Sequence, residues 1–136
     1  MIKMKELCKL DLQALPKEHI ENVTKLFDKI NDFRNAYGKP LLVTSGYRTM
    51  ADHLNIYKHK GITDQSKIPM KSNHLNGLAA DVIPIEDDIK HLHDWVLNNI
   101  KLCEELGLYF EDFSATNGWL HIQIVAPKSG NMFFKP

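Results

Sequence analysis

Three residues separated along the chain have the side chains to hold a metal ion. Ser72 to Asp81 places His74 and Asp81 on either side of a glycine, Gly77, and two alanines, Ala79 and Ala80. The apolar run Val82-Ile83-Pro84-Ile85 follows, and it reads as a strand that begins near Ala79 and is ended by Pro84. An aspartate on a half-buried strand needs a cation, a metal or strong hydrogen bonds. A second histidine, His121, lies on another strand-like run, Trp119 to Val125. Singly, each has an ordinary structural reading: a strand histidine is usually hydrogen-bonded, and an aspartate caps a turn or pairs with a lysine. Together they point elsewhere. Asn76-Gly77 permits a tight turn, Ala79-Ala80 allows close approach beside Asp81, and His121 alternates with Trp119 and Gln123 on one strand face. Two histidines and an aspartate suit a catalytic zinc that keeps its fourth position open.

The elements that must position these residues follow from periodicity. Residues 1–15 are mixed in pattern and read as an irregular lead-in. Pro16 suits the first turn of a helix, with Glu18 and Glu21 favourable near its positive end. Ile20, Val23, Phe27, Ile30, Phe33 and Tyr37 recur at three- and four-residue spacing and give that helix one buried stripe; Gly38 and Pro40 stop it. Leu41 to Ser45 reads as a buried strand ended by Gly46, which exposes Tyr47 and Arg48. Thr49 caps a short helix that stops at Gly61, and residues 61–73 form a polar loop leading to His74. Glu86, Asp87 and Asp88 open a second long helix whose stripe runs Ile89, Leu92, Val96, Ile100, Cys103 and Leu106 to Gly107. Tyr109 to Phe113 and Trp119 to Val125 read as a hairpin around Ser114–Gly118. The order predicts an α+β domain with a largely antiparallel sheet.

Composition bounds the rest. The 136 residues make one domain, 1–136, long enough for one core. Seventeen basic and seventeen acidic residues cancel, so no net charge argues for nucleic acid or an acidic membrane surface. No apolar run approaches the ~20 residues of a membrane span, and the charged N-terminus lacks the apolar core of a secretory signal. Cys8 and Cys103 read as small apolar residues, and the chain as one made in a reducing cytoplasm. His91 and His93, two apart on a helix, read as a solvated pair. Nothing in the sequence fixes an oligomeric state.

Ser72, His74, Gly77, Ala79 and Asp81 resemble the first zinc motif of the zinc D,D-peptidase family, Ser-x-His-x-x-Gly-x-Ala-x-Asp. That family includes D-alanyl-D-alanine carboxypeptidases and dipeptidases and the L-alanyl-D-glutamate endolysins of phages. Trp119 and His121 resemble its third-ligand motif, Trp-x-His, and Ser45-Gly46-Tyr47-Arg48 resembles the segment carrying its active-site arginine. The motifs occur in the family's order over roughly residues 41–125; the run from Ile62 to His74 and the ending from Ser129 are most similar to the small phage-type members. The resemblance implies Zn²⁺ held by His74, Asp81 and His121, the fold shared by D,D-peptidases and the hedgehog signalling domain, and hydrolysis of an amide bond in peptidoglycan stem peptides. Such an enzyme would reach the wall through a holin or in a virion. Carboxypeptidase and endopeptidase action both remain open.

The chain departs from the family at one point. Many members carry a catalytic glutamate three residues before the last histidine, where this chain has Gly118. Glu111 and Asp112 are the nearest acids. A turn centred on Thr116 sets Glu111 opposite His121 and on its face; a slip of one residue substitutes Asp112. Arg48 is the expected electrophile or carboxylate anchor, and Tyr47, Trp119 and Gln123 are candidates for substrate or supporting contacts. If neither acid reaches the metal, the alternative is a zinc-binding, non-catalytic binding or virion structural module of the same fold.

Overall fold

The computed structural model describes residues 1–136. Five helices and five strands alternate along the chain: α1 (Met4–Leu7), α2 (Lys17–Tyr37), β1 (Leu41–Ser45), α3 (Met50–His59), β2 (Ala79–Pro84), α4 (Ile89–Asn98), α5 (Ile100–Glu105), β3 (Tyr109–Glu111), β4 (Leu120–Gln123) and β5 (Phe133–Phe134). The strands form one sheet in the order β1-β2-β4-β3-β5, antiparallel except where β5 joins β3. The architecture is the α+β class with a largely antiparallel sheet that the element order predicts.

Alternation along the strands divides the sheet into two faces. Ala80 and Val82 of β2, Leu120 and Ile122 of β4 and Phe110 of β3 pack into one core with Leu26, Ile30 and Phe33 of α2, Leu92 and Val96 of α4, and Cys103 of α5. The opposite parity puts Asp81, His121 and Gln123 on the other face. Register then brings these residues together: Asp81 pairs with His121 and Ala79 with Gln123 across β2 and β4. Tyr109 pairs with Gln123 and Phe110 with Ile122 across β3 and β4, which continues to Glu111 opposite His121.

Five sequence expectations change in the structure. The lead-in is packed rather than irregular: α1 forms within it, and Ile2, Leu7, Cys8 and Leu15 are buried. β1 lies at the sheet edge and is only partly buried, with Leu42 exposed. The second long helix is broken at Asn99, whose side-chain amide donates to the Trp95 carbonyl at 2.7 Å while its own N–H turns back to Val96. That side chain takes the acceptor a continuous helix would need. The apolar end contributes β5, a strand too short to carry a periodic signal; the Phe110 and Asp112 amides donate to the Met132 and Phe134 carbonyls at 2.7 Å. Finally, His91 and His93 are no solvated pair. His93 is buried, stacks on Phe113 at 4.0 Å between centroids and donates to the Trp119 carbonyl at 2.8 Å.

Candidate metal centre and active site

A cleft of about 710 Å³ opens on the face of the sheet away from the main core, and His74, Asp81, Glu111, Trp119, His121, Gln123 and Arg48 all line it. His74 Nε2 lies 3.4 Å from Asp81 Oδ2, and His121 Nδ1 lies 2.9 Å from Asp81 Oδ1. One candidate ligand atom from each residue falls within 4.8 Å of the others. Local chemistry brings the loop histidine to the strands. Gly77 turns the chain at φ +76°, where a side chain would also strike Val23 on α2. The fully buried Ala79 and Ala80 then start β2.

Hydrogen-bond partners dictate the tautomers. A carbonyl can only accept, so His74 Nδ1 donates to the Gly46 carbonyl at 3.0 Å and leaves the Nε2 lone pair facing Asp81. Gln123 Nε2 donates to the Val125 carbonyl at 2.8 Å, which turns Oε1 toward His121. His121 Nε2 must then donate to Oε1 at 2.9 Å, and Nδ1 is the free acceptor. Two imidazole lone pairs and a carboxylate therefore converge with no donor among them, an arrangement that is costly unless a cation or a proton joins them. Burial raises the Asp81 carboxyl, but the protonated forms of His121 and His74, through hydrogen bonds and charge, outweigh it and hold the group well below the usual carboxylate range. Burial likewise lowers His121, while the hydrogen bond and charge of Asp81, with the charge of Glu111, raise it above the ordinary histidine value.

The acids proposed as bases part company. Glu111 Oε1 lies 3.9 Å from His121 Nδ1, within the cleft. Asp112, one residue on, is turned to the loop, where Oδ1 accepts from the Ser114 amide at 2.9 Å and hydroxyl at 2.7 Å. Arg48 comes from the segment after β1. Gly46 permits that segment to pass against α1, because a Cβ there would overlap the Leu7 carbonyl. The Tyr47 amide donates to the same carbonyl at 2.7 Å. Arg48 Nη2 lies 3.9 Å from Asp81 Oδ2, and its side chain is only 15% exposed, so it is a held group rather than a surface charge.

A family model described as Peptidase M15 matches residues 7–123. The chain belongs to the peptidase M15 family. Its members are metal-dependent peptidases, typically using zinc, which makes this chain a metallopeptidase. No curated protein and no solved structure matches the chain. The donor set of this M15 chain fits zinc: two neutral imidazoles and one carboxylate, each imidazole with its other nitrogen engaged by an outer partner, the arrangement that orients metal-binding histidines.

Other residues of the M15 domain take places the sequence left open. Tyr47 does not line the cleft; it borders a separate cavity of about 340 Å³ by the Ser45–Arg48 segment, and its hydroxyl meets His19 Nδ1 at 2.9 Å. Trp119 is 37% exposed at the cleft wall, and Gln123 is buried behind His121. Lys60, Lys71 and Lys128 join the lining, and nothing in their spacing marks them: Lys60 and Lys71 lie in the connection between α3 and β2, and Lys128 follows β4. Cys8 and Cys103 are both free and buried. No helix is long and apolar enough to cross a membrane.

Proposed function

We propose that this M15 peptidase hydrolyses an amide bond in peptidoglycan stem peptides, with His74 Nε2, Asp81 and His121 Nδ1 holding one Zn²⁺. The observation that carries the proposal is the convergence of three donor-free lone-pair groups in a cleft that also contains a carboxylate and a guanidinium. Zinc bound there supplies Lewis acidity, polarising a carbonyl and lowering the pKa of a water. The chain's own residues do the rest. Glu111 is the general base: its Oε1 takes a proton from the attacking water and passes it to the leaving amine. Its distance of 3.9 Å from His121 Nδ1 supports that role, and Asp112 is occupied by Ser114. The Arg48 guanidinium meets the negative charge that develops on the carbonyl oxygen, or the substrate's own carboxylate. Gln123 fixes His121 in the tautomer that leaves Nδ1 free, and Trp119 walls the groove against the peptide.

The charge around the cleft supports a substrate with free carboxylates. A chain with seventeen basic and seventeen acidic residues gathers Lys60, Lys71, Lys128 and Arg48 at this one opening. Stem peptides carry such carboxylates. Delivery to the wall would be by a separate pore, as for phage endolysins, or in a virion. The test is release of free amine from purified stem peptides containing L-alanyl-D-glutamate or D-alanyl-D-alanine bonds. Hydrolysis of one of them, lost with a chelator and restored by zinc, is the expected result. Absence of release from both by the zinc-loaded protein would overturn the proposal.

A further inference from the structure

Arg48 is held from several sides. Its amide donates to the His74 carbonyl at 3.0 Å, and Nε donates to Ser45 Oγ at 2.9 Å. A third partner lies on another element. His53, on α3, is fully buried, and its Nδ1 is 3.3 Å from Arg48 Nη1. Its Nε2 is 2.9 Å from the carbonyl of Pro69, in the loop that lines the cleft and leads to His74. The carbonyl can only accept, so Nε2 carries the proton and Nδ1 offers a lone pair. A guanidinium can only donate, so the pairing is complementary in one tautomer alone. Tyr57 packs against the same ring at 5.1 Å between centroids and keeps its plane in place.

We infer that His53 is a positioning residue that holds the Arg48 guanidinium and the Pro69 loop in register with the metal centre. Its role rests on the proposed reading of Arg48 as a substrate-facing group. Free arginine side chains lose rotamer freedom when fixed; His53 meets that cost in the resting protein, before substrate arrives. Burial lowers the basicity of His53, and the positive charge of Arg48 lowers it further, against the raising effect of the Pro69 carbonyl. The neutral form that the pairing requires is thereby kept at neutral pH.

The first test uses the unaltered protein. Nitrogen chemical shifts of His53 should show a protonated Nε2 and a bare Nδ1, and the Arg48 Nε proton should exchange slowly with water. A protonated Nδ1 would overturn the inference, whatever the enzyme does. The second test is a double-mutant cycle on a stem peptide. His53→Leu should lower kcat/KM by ~10- to 100-fold, the span of a lost hydrogen bond to a charged group, with zinc content unchanged. His53→Gln, which keeps a donor and an acceptor, should recover most of that loss. In an Arg48→Ala background His53→Leu should add little, because its effect passes through the arginine. An equal loss in both backgrounds would make His53 merely structural. If no variant and no wild type hydrolyses any peptide, the peptidase reading fails, while the nitrogen shifts and proton exchange still decide the part played by His53.

Discussion

Two clusters of histidine and aspartate in this chain meet the same distance criterion for a metal, yet they differ in what their lone pairs already do. In His74, Asp81 and His121 the inward-facing atoms have no donor between them, and the outward nitrogens are satisfied by Gly46 and Gln123. In Asp87, Asp88 and His91 three of the four carboxylate oxygens already accept hydrogen bonds. Asp87 accepts from the Tyr37 hydroxyl at 2.6 Å, the Lys39 ammonium at 3.3 Å and the Asp88 amide at 2.9 Å. Asp88 caps α4 by accepting the His91 amide at 2.8 Å. The Tyr37 hydrogen bond comes first among the causes that hold the Asp87 carboxyl below the usual range. The first cluster lies on strands and the loop beside them, and the second sits at a helix start with Asp88 and His91 exposed and Asp87 half-buried. Residue type and proximity are common to both; only the first leaves an electrostatic gap for a cation to fill.

The comparison breaks most sharply on metal content. His121→Ala or Asp81→Ala should take zinc from about one per chain to none and abolish turnover, whereas His91→Ala should leave both unchanged. Elemental analysis of zinc-supplemented preparations measures this, and zinc retained by His121→Ala would remove the first cluster from consideration.

Glu111→Gln is expected to keep zinc and lower kcat by ~10²- to 10⁴-fold, the usual range for a lost general base. Asp112→Asn should alter turnover far less, since that carboxylate serves the Ser114 turn. Stem-peptide kinetics on both variants separate the two acids; a large loss in Asp112→Asn alone would mean that the site rearranges around the other residue.

Arg48→Lys should lower kcat/KM by about tenfold or more, because one ammonium cannot serve Ser45, His53 and the substrate together. Wild-type kinetics for the lysine variant would reduce Arg48 to a diffuse charge.

Acidity should weaken the first cluster's hold on zinc. His121 has a raised folded value, so without metal its pairing with Asp81 adds stability that is full below ~6.5 and is lost as pH rises through the folded value. Asp81, lowered, adds stability that is present above ~3.9 and is lost only on deep acidification. Zinc bound at His121 Nδ1 would displace the proton there. The rise in Tm on adding zinc should therefore be larger at pH 8 than at pH 6, as thermal scans with and without metal would show. An increment independent of pH would argue against His121 as a ligand.

The smallest expected effect belongs to the second cluster. Asp88→Ala removes the cap of α4 and should cost about 1 kcal/mol in denaturant unfolding, with zinc content and turnover untouched. A change in zinc content there would erase the distinction between the clusters.

Much of this was legible in the residues themselves. His74, Asp81 and His121 stand out because ligand-type side chains occur beside a glycine and alanines, and because period-two alternation assigns His121 and Gln123 to one face. The apolar stripe of α2 and the Ser114–Gly118 turn could be read for the same reason: they are local, and sequence spacing maps directly onto geometry. What tertiary structure alone decided is non-local or depends on one hydrogen bond. Which of Glu111 and Asp112 lines the cleft turned on strand register, where one residue reverses the face. Asn99 broke a helix that its apolar stripe would have continued, because a side-chain amide captured a backbone carbonyl. β5 exists only because β3 offers it an edge. His53 carries no spacing signal toward Pro69, since a loop and a helix must first fold together before its two nitrogens find their partners. The ligand types were therefore written in the sequence, while the free lone pairs that fit them to a metal arose only when Gly46, Gln123 and the sheet register oriented the rings.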